Sequence, residues 1–396
     1  MPKVFPFKSI RPLPEMAALV SARIHGNESL TAQVDFVNKN PNSYLNVIKP
    51  QLHFSEKSKD SEKHFDFAKE HLNKLLNEGT LSQDLEDSIF VYKQVYPDGY
   101  SSLGVVATLL SSDYDNNKVK KHENTRKSKE EMMVRHINST KAIGEPVLVS
   151  CSSSFELTKA LKEQTLKIFD IEFASEDGVV HTLWRLSTHD EYNSLLDILG
   201  TDDSFYIADG HHRSAATSLY HKQNKNKEGK FLSYIIPDNE LKILPFHRLF
   251  SFKEEKGKYG ILGEIEKRFT ISSSLEPVIP EKKGVVGLSI KNQWYRLEYN
   301  QERAKNLLLD VDLLEKEILE PCFNVTDSRT DERLDYVAGN EDFDPVEYAR
   351  EYDALFTLYS VSFDEVKTIA DANKTMPPKS TYILPKLRSG LIIQEV

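Results

Sequence analysis

The clearest periodic signal lies in residues 62–78. Phe65, Ala68, Leu72 and Leu75 recur at helical spacing with charges opposite them, and Gly79 closes the run, so the spacing predicts an amphipathic helix over Glu62–Glu78. A short helix is expected over Pro14–Ile24 and a charged one over Lys127–Asn138. Ser88–Tyr96 and Gly104–Leu110 are apolar, β-branched and aromatic, as strands prefer, with Pro97-Asp98-Gly99 as a turn signal between them. Pro146–Ser152, His181–Leu186 and Phe205–Ala208 also read as strands. Two hairpins are expected. One joins Phe231–Pro237 to Leu241–Pro245 around Asp238-Asn239, and the other joins Val285–Ile290 to Trp294–Tyr299 around Lys291-Asn292. Further helices are expected at Leu313–Leu319 with Asp312 as N-cap, at Pro345–Tyr352 and at Asp364–Ala372. Strands and helices without strict alternation imply an α+β fold with a mixed sheet core rather than a doubly wound sheet.

A chain of 396 residues is long enough for two sub-domains. Lys253–Lys258 is a charge run, and Ser272–Lys283 is rich in Ser, Pro and Glu. These shifts put a soft boundary near residue 260, dividing an N-terminal α+β domain (1–260) from a smaller C-terminal α+β part (261–396). Composition changes the picture by exclusion. At 39% hydrophobic and 28% charged residues the chain is ordinary for a globular protein, and its net charge of −10 argues against nucleic acid and anionic membrane as partners. Two cysteines, Cys151 and Cys322, cannot build a disulfide framework or a multi-cysteine zinc site. The N-terminus lacks the apolar core of a signal peptide, and no stretch is long and apolar enough to span a bilayer, so a cytoplasmic location is expected.

Candidate chemistry concentrates at Ser204–Arg213. Four largely apolar residues lead into Asp209-Gly210, then His211, His212 and Arg213, then a helical run. A helix N-terminus directly after a strand is a natural anion site, because its first N–H groups lack partners and the helix dipole is positive there. Gly210 permits close backbone approach to a phosphate, Arg213 offers a charge-assisted contact, and Asp209 offers a metal or hydroxyl ligand. The plainer account is a capped helix, with Asp209 as N-cap and the histidines solvated in its first turn. A second cluster, Lys120-Lys121-His122-Glu123-Asn124-Thr125-Arg126, packs cations, an imidazole and a carboxylate before a helix. Glu123 suits a general base or metal ligand there; the alternative is an exposed turn with Thr125 as cap. Met376–Tyr382 and Pro385–Gly390 read mainly as a rigid C-terminal loop docking on the core, and the alternating charges of Asp327–Arg333 as a solvated face. Walker A, dinucleotide-glycine, H-E-x-x-H and G-x-S-x-G motifs are absent from the sequence.

Several of these segments, in order, resemble the bacterial family catalogued as domain of unknown function 1015. They are Phe7–Pro12, Asn42–Pro50, Lys120–Arg126, Asp177-Gly178 with His181–Trp184, Tyr206–Arg213 and Met376–Gly390. The Asp-Gly-His-His-Arg element is also similar to the corresponding loop of ParB/sulfiredoxin-like free-serine kinases. That resemblance implies a ParB/sulfiredoxin-like phosphate-loop region in which Asp209 to Arg213 hold nucleotide phosphates. The base role of Glu123 rests on its own neighbours, not on a motif match. Two places depart from the family pattern. Ser21–Gly26 stands where a Pro-Pro-Tyr-Asp segment is common, and Met132-Met133 where an Asp-Arg pair is usual. A different substrate, or loss of activity, is left open by them.

Together these readings imply a nucleotide-dependent small-molecule kinase using ATP or ADP and Mg²⁺, with a free hydroxy amino acid such as serine as acceptor. Glu123, His211 and His212 are the expected catalytic residues. Asp209, Gly210, His211, His212, Arg213, Lys121 and Arg126 are expected to hold the nucleotide, and Asp209 the metal. A nucleotide-binding regulator without turnover and a metal-dependent phosphatase are the alternatives.

Overall fold

The computed structural model describes residues 1–23, 29–54, 62–252, 258–299, 309–340 and 342–396. The end of the expected Pro14–Ile24 helix, the Ile24–Gly26 part of the departing segment and nearly all of the Lys253–Lys258 charge run lie outside them. The chain divides into two compact units. The first comprises Met1–Leu241 and Pro385–Val396, the second Lys242–Leu384. The sequence had suggested one boundary near residue 260. The observed division falls earlier, and the C-terminal segment belongs to the first unit because Ile393–Glu395 pairs with Ser9–Pro12 and with Ala142–Ile143.

The first unit is built on a nine-stranded mixed sheet. In chain order its strands are β1 (Val4–Phe5), β2 (Ile89–Val95), β3 (Ser101–Leu110), β4 (Val119–Lys120), β5 (Val147–Cys151), β6 (Ile171–Ala174), β7 (Val180–Leu186), β8 (Phe205–Asp209) and β9 (Lys230–Pro237). Their spatial order is β4-β8-β5-β9-β3-β2-β7-β6, with β1 paired to β3. Only β4–β8 and β5–β9 are parallel among these pairs. The long runs of apolar residues follow from burial on both sheet faces: Ile89, Phe90, Val91 and Tyr92 of β2 are all buried. Ile89 and Val91 join one core with Val105, Ala107, Val149, Trp184, Phe205 and Ile207.

Three helices of this unit pack in series, α1 (Glu62–Asn77) against α2 (Lys127–Thr140) and α2 against α3 (His211–Gln223). The periodicity of α1 works as expected, burying Phe65, Ala68, Leu72 and Leu75. Each large side chain among them contributes roughly 1.5–3 kcal/mol by leaving water.

The second unit holds a six-stranded antiparallel sheet. The hairpin Val285–Ile290 to Gln293–Tyr299 forms with Lys291 and Asn292 both at positive φ, the geometry that a two-residue turn requires. The other expected hairpin does not form. β9 pairs with β3 and β5, while Lys242–Leu244 pairs with Tyr382–Leu384, because a strand buried between two others takes its partners from distant parts of the chain. The helix expected at Leu313–Leu319 begins at Asp310 with Leu309 as N-cap, not Asp312. It passes into a π-helical turn over Glu315–Leu319 before Glu320–Phe323. Pro321 lacks the N–H that a regular helix needs there and crowds the preceding turn, which accounts for the widened turn. Pro14–Met16 is a 3₁₀ turn and only Ala17–Val20 is α-helical.

Candidate functional site

The parallel pairing of β4 with β8 makes the site. Phe205 lies opposite Val119 and Tyr206 opposite Lys120. Parallel strands leave a sheet at the same end, so residues 121–126 and 209–213, remote in sequence, emerge side by side. The pairing of β8 with β5 shifts register between Ile207 and Asp209, a bulge that redirects the strand just where it delivers Asp209. Gly210 follows at φ 98°, and α3 starts at His211. The cap residue is therefore Gly210, and Asp209 does not cap the helix through its side chain.

His122, Glu123 and His211 converge. One potential ligand atom from each lies within 4.8 Å of the other two. Glu123 Oε2 is 3.6 Å from His211 Nδ1, and the His122 and His211 rings meet edge to face with centroids 4.5 Å apart. The His122 backbone N–H donates to His211 Nε2 at a long 3.4 Å. Both imidazoles are buried, so the solvated-histidine account fails for His211. Burial pushes the His122 imidazole down to about 4, with the Asp209 carboxylate acting in the other direction. Burial, and then the neighbouring His122, hold His211 well below its usual value. Both rings are therefore neutral at pH 7. His212 Nε2 accepts the Arg126 backbone N–H at 3.0 Å, fastening the start of α2 to the start of α3. Thr125 does not cap α2; Arg126 stands at the cap, and the Thr125 hydroxyl donates to Glu130 Oε1.

Arg213 faces back over the turn. Its guanidinium reaches Asp209 Oδ2 at 2.6 Å, Glu145 Oε1 at 2.7 Å and the Pro146 carbonyl at 2.7 Å. Burial alone would raise the Asp209 carboxyl, but Lys386 and Arg213 outweigh it and hold the group down at about 2. The Lys386 ammonium is 3.8 Å from Asp209 Oδ1. Burial lowers that lysine's own affinity for its proton, and Asp209 opposes the effect. Lys386 belongs to the segment read from sequence as a docking loop, and the sequence singled it out only as a lysine able to reach an anion.

Two of the expected residues stand apart from this convergence. Lys121 is exposed, with its ammonium 4.7 Å over the Tyr114 ring, and the Arg126 side chain is exposed. Of a neighbouring polar network, the family-like segments include only Asp177, His181 and Arg388, while Ser21 and Arg23 lie in the segment that departs from the family pattern. Arg23 pairs with Asp177 at 2.7 Å, and His181 contacts Tyr92 Oη at 2.6 Å and Ser175 Oγ at 3.0 Å. Arg388 donates to the carbonyl and hydroxyl oxygens of Ser21. Apart from Ser175 and His181, which flank one turn, the partners come from distant parts of the chain, so no local signal marks the network.

An α+β unit with a strand–glycine–helix turn, buried histidines and a facing glutamate defines the class of site. The chain belongs to the family described as "Protein of unknown function (DUF1015)", whose model matches residues 4–318. No curated protein matches the sequence. Solved structures that the chain is similar to include SbnI with C-terminal truncation from Staphylococcus aureus, at 11% identity and TM-score 0.40, covering 70% of this chain and 82% of that one. A free serine kinase variant in complex with ADP aligns at 11% identity and TM-score 0.39, over 72% of this chain and 92% of that one. A conserved hypothetical protein from Pyrococcus furiosus aligns at 14% identity and TM-score 0.35, over 72% and 95%. Among the described residues, no helix is long and apolar enough to cross a membrane.

Proposed function

We propose that the chain is a nucleotide-dependent kinase acting on a small hydroxylated molecule, a free hydroxy amino acid such as serine. One observation carries this reading: the Glu123 carboxylate lies 3.6 Å from His211, at the head of the helix that follows the strand–glycine turn. An acceptor base and an anion cradle are thereby adjacent, as in-line phosphoryl transfer needs. In the reaction, the acceptor oxygen attacks the terminal phosphorus of ATP or ADP. Its proton passes to Glu123, and the bond to the bridging oxygen breaks, with the electron pair leaving on the nucleotide. The first N–H groups of α3 receive the donor phosphates, with His211 and His212 beside them. Lys386 and Arg213 place positive charge next to Asp209, and Lys121 and Arg126 supply cations at the rim. Mg²⁺ is bound by phosphate oxygens and few protein carboxylates, a mode that suits Asp209, whose side chain is 43% exposed. There it would neutralise phosphate charge. The amino acid as acceptor class follows from the resemblance of the Asp-Gly-His-His-Arg element.

The test is incubation with ATP or ADP, Mg²⁺ and a pool of amino acids, read by mass spectrometry. The expected result is a phosphorylated amino acid with acceptor-dependent nucleotide turnover, and a loss of roughly 10²–10⁴-fold in Glu123→Gln. Tight nucleotide binding without any product would replace the kinase with a regulator. Phosphate release from phosphoserine without nucleotide would replace it with a phosphatase.

A further inference from the structure

We propose that His122, Glu123 and His211 bind a divalent transition-metal ion through two imidazole nitrogens and one carboxylate oxygen, leaving its remaining positions to water or an oxyanion. Two observations carry this independently. The first is the convergence itself, with one ligand atom from each residue inside 4.8 Å. An ion at about 2.0–2.2 Å from nitrogen and oxygen donors draws those donors to roughly 3.0–3.5 Å from one another, a closure that side-chain rotation supplies. The second is His122. The residue is 1% exposed, and neither Nδ1 nor Nε2 of its ring has a hydrogen-bond partner. A neutral imidazole carries one donor and one acceptor, and burying both unpaired is costly. A metal ion facing this ring removes part of that cost.

The donor set chooses the class of ion. Imidazole suits zinc and its first-row neighbours, whereas Mg²⁺ demands oxygen ligands. Three protein ligands with open positions are the arrangement of a reactive rather than a closed structural site. Ligation through His211 Nδ1 moves that ring's proton to Nε2. It gives up the 3.4 Å contact from the His122 N–H, which is longer than an ordinary hydrogen bond, and sets two donors facing each other there, a cost that the metal–ligand bonds have to exceed. The backbone already sets the positions. His122 and Glu123 follow β4, His211 follows β8, and the two strands are paired.

This site does not depend on the kinase reading and differs from the Mg²⁺ that accompanies a nucleotide. The two readings are compatible, because a carboxylate that ligates through one oxygen keeps a second for an acceptor hydroxyl.

Binding is measured on the full chain, stripped with a chelator and free of nucleotide, by calorimetric titration with Zn²⁺ and with Mg²⁺. Co²⁺ serves as a visible-absorption probe. The expected result is one equivalent of Zn²⁺, Mg²⁺ binding at least about tenfold weaker, and ligand-field bands from bound Co²⁺. Glu123→Gln and His122→Ala should each weaken Zn²⁺ by at least about tenfold. His189→Gln, at an exposed histidine, should leave it unchanged. Glu123 is about a third exposed, so its variant stays folded even if His122→Ala does not, and circular dichroism checks both. The proposal is overturned by the absence of stoichiometric Zn²⁺ binding, by equal affinity in Glu123→Gln, by Mg²⁺ binding as tightly, or by loss of binding in His189→Gln. Since no nucleotide or acceptor is present, failure here leaves the kinase reading standing, and failure of turnover leaves this one standing.

Discussion

Arg213 shows how far one side chain's role depends on its surroundings. Read from sequence, it is a cation waiting for phosphate. In the structure its guanidinium fork is divided among Asp209, Glu145 and the Pro146 carbonyl, and its side chain is 11% exposed. It therefore holds the turn in shape as well as contributing charge. Arg213→Ala takes the guanidinium away from both Asp209 and Glu145, leaving Lys386 as the neighbouring cation of Asp209, and removes hydrogen bonds to charged groups, which are worth about 1.5–3 kcal/mol apiece. We expect a clear fall in the urea midpoint together with weaker nucleotide binding. Arg213→Lys should restore part of the affinity but little of the stability, since an ammonium cannot reproduce the planar fork. A wild-type urea midpoint in Arg213→Ala would show that the clamp contributes nothing. Glu123 is the contrasting case. At about a third exposed it contributes little to folding, so its substitution reads on chemistry and metal binding rather than on stability.

Among the elements, the turn between β8 and α3 concentrates the constraints. The bulge at Ile207/Asp209 redirects the strand, and Gly210 then takes φ 98°. A side chain at that φ costs roughly 1–2 kcal/mol. A Cβ on Gly210 would also sit 2.8 Å from Arg213 Nε, in an arginine that three partners hold in place. Gly99 is the natural comparison: its φ is 86°, and nothing lies within 4 Å of its Cβ position. Gly99→Ala should therefore cost the backbone term alone. Gly210→Ala should cost that term plus the displacement of Arg213, and should weaken anion binding as well. Equal losses of stability in the two variants, read from chemical denaturation, would mean that Arg213 gives way freely.

For the whole molecule, the two units can be followed separately, because the chain has two tryptophans, Trp184 in the first and Trp294 in the second. A Trp294→Phe background leaves Trp184, whose Nε1 donates to the Lys167 carbonyl, as the reporter of the first unit. Burial lowers His122 to about 4. Burial, with help from Arg388, lowers His181 to about 3. Unfolded, both return to about 6.5. Between those values the unfolded state binds more protons than the folded state, so the stability these groups confer is complete above about 6.5 and is lost as pH falls through the folded values. Each contributes a slope of up to about 1.4 kcal/mol per pH unit. Asp202 and Glu240 are raised by burial and act in the opposite sense, so the raw slope mixes signs. The difference between the parent and His181→Gln isolates the histidine. Between pH 7 and 5 the parent should lose more stability than the variant, and parallel pH profiles would rule out a neutral, buried His181.

Local pattern determined much of the protein. The helical spacing of Phe65, Ala68, Leu72 and Leu75, the Lys291-Asn292 turn, most strands and the strand-to-helix turn at Asp209 were legible, because each depends on residues close in sequence. So was the α+β class, and so were the two clusters of reactive side chains. Tertiary structure alone decided that the clusters meet. That outcome depends on the parallel pairing of β4 with β8, a short edge contact across more than eighty residues with no local signature. It alone spent the Arg213 fork on two carboxylates, brought Lys386 back to Asp209 and carried β9 into the middle of a sheet instead of into a hairpin. It also left His122 buried with both ring nitrogens unpaired, since a side chain's burial and its partners are set by whatever packs against it.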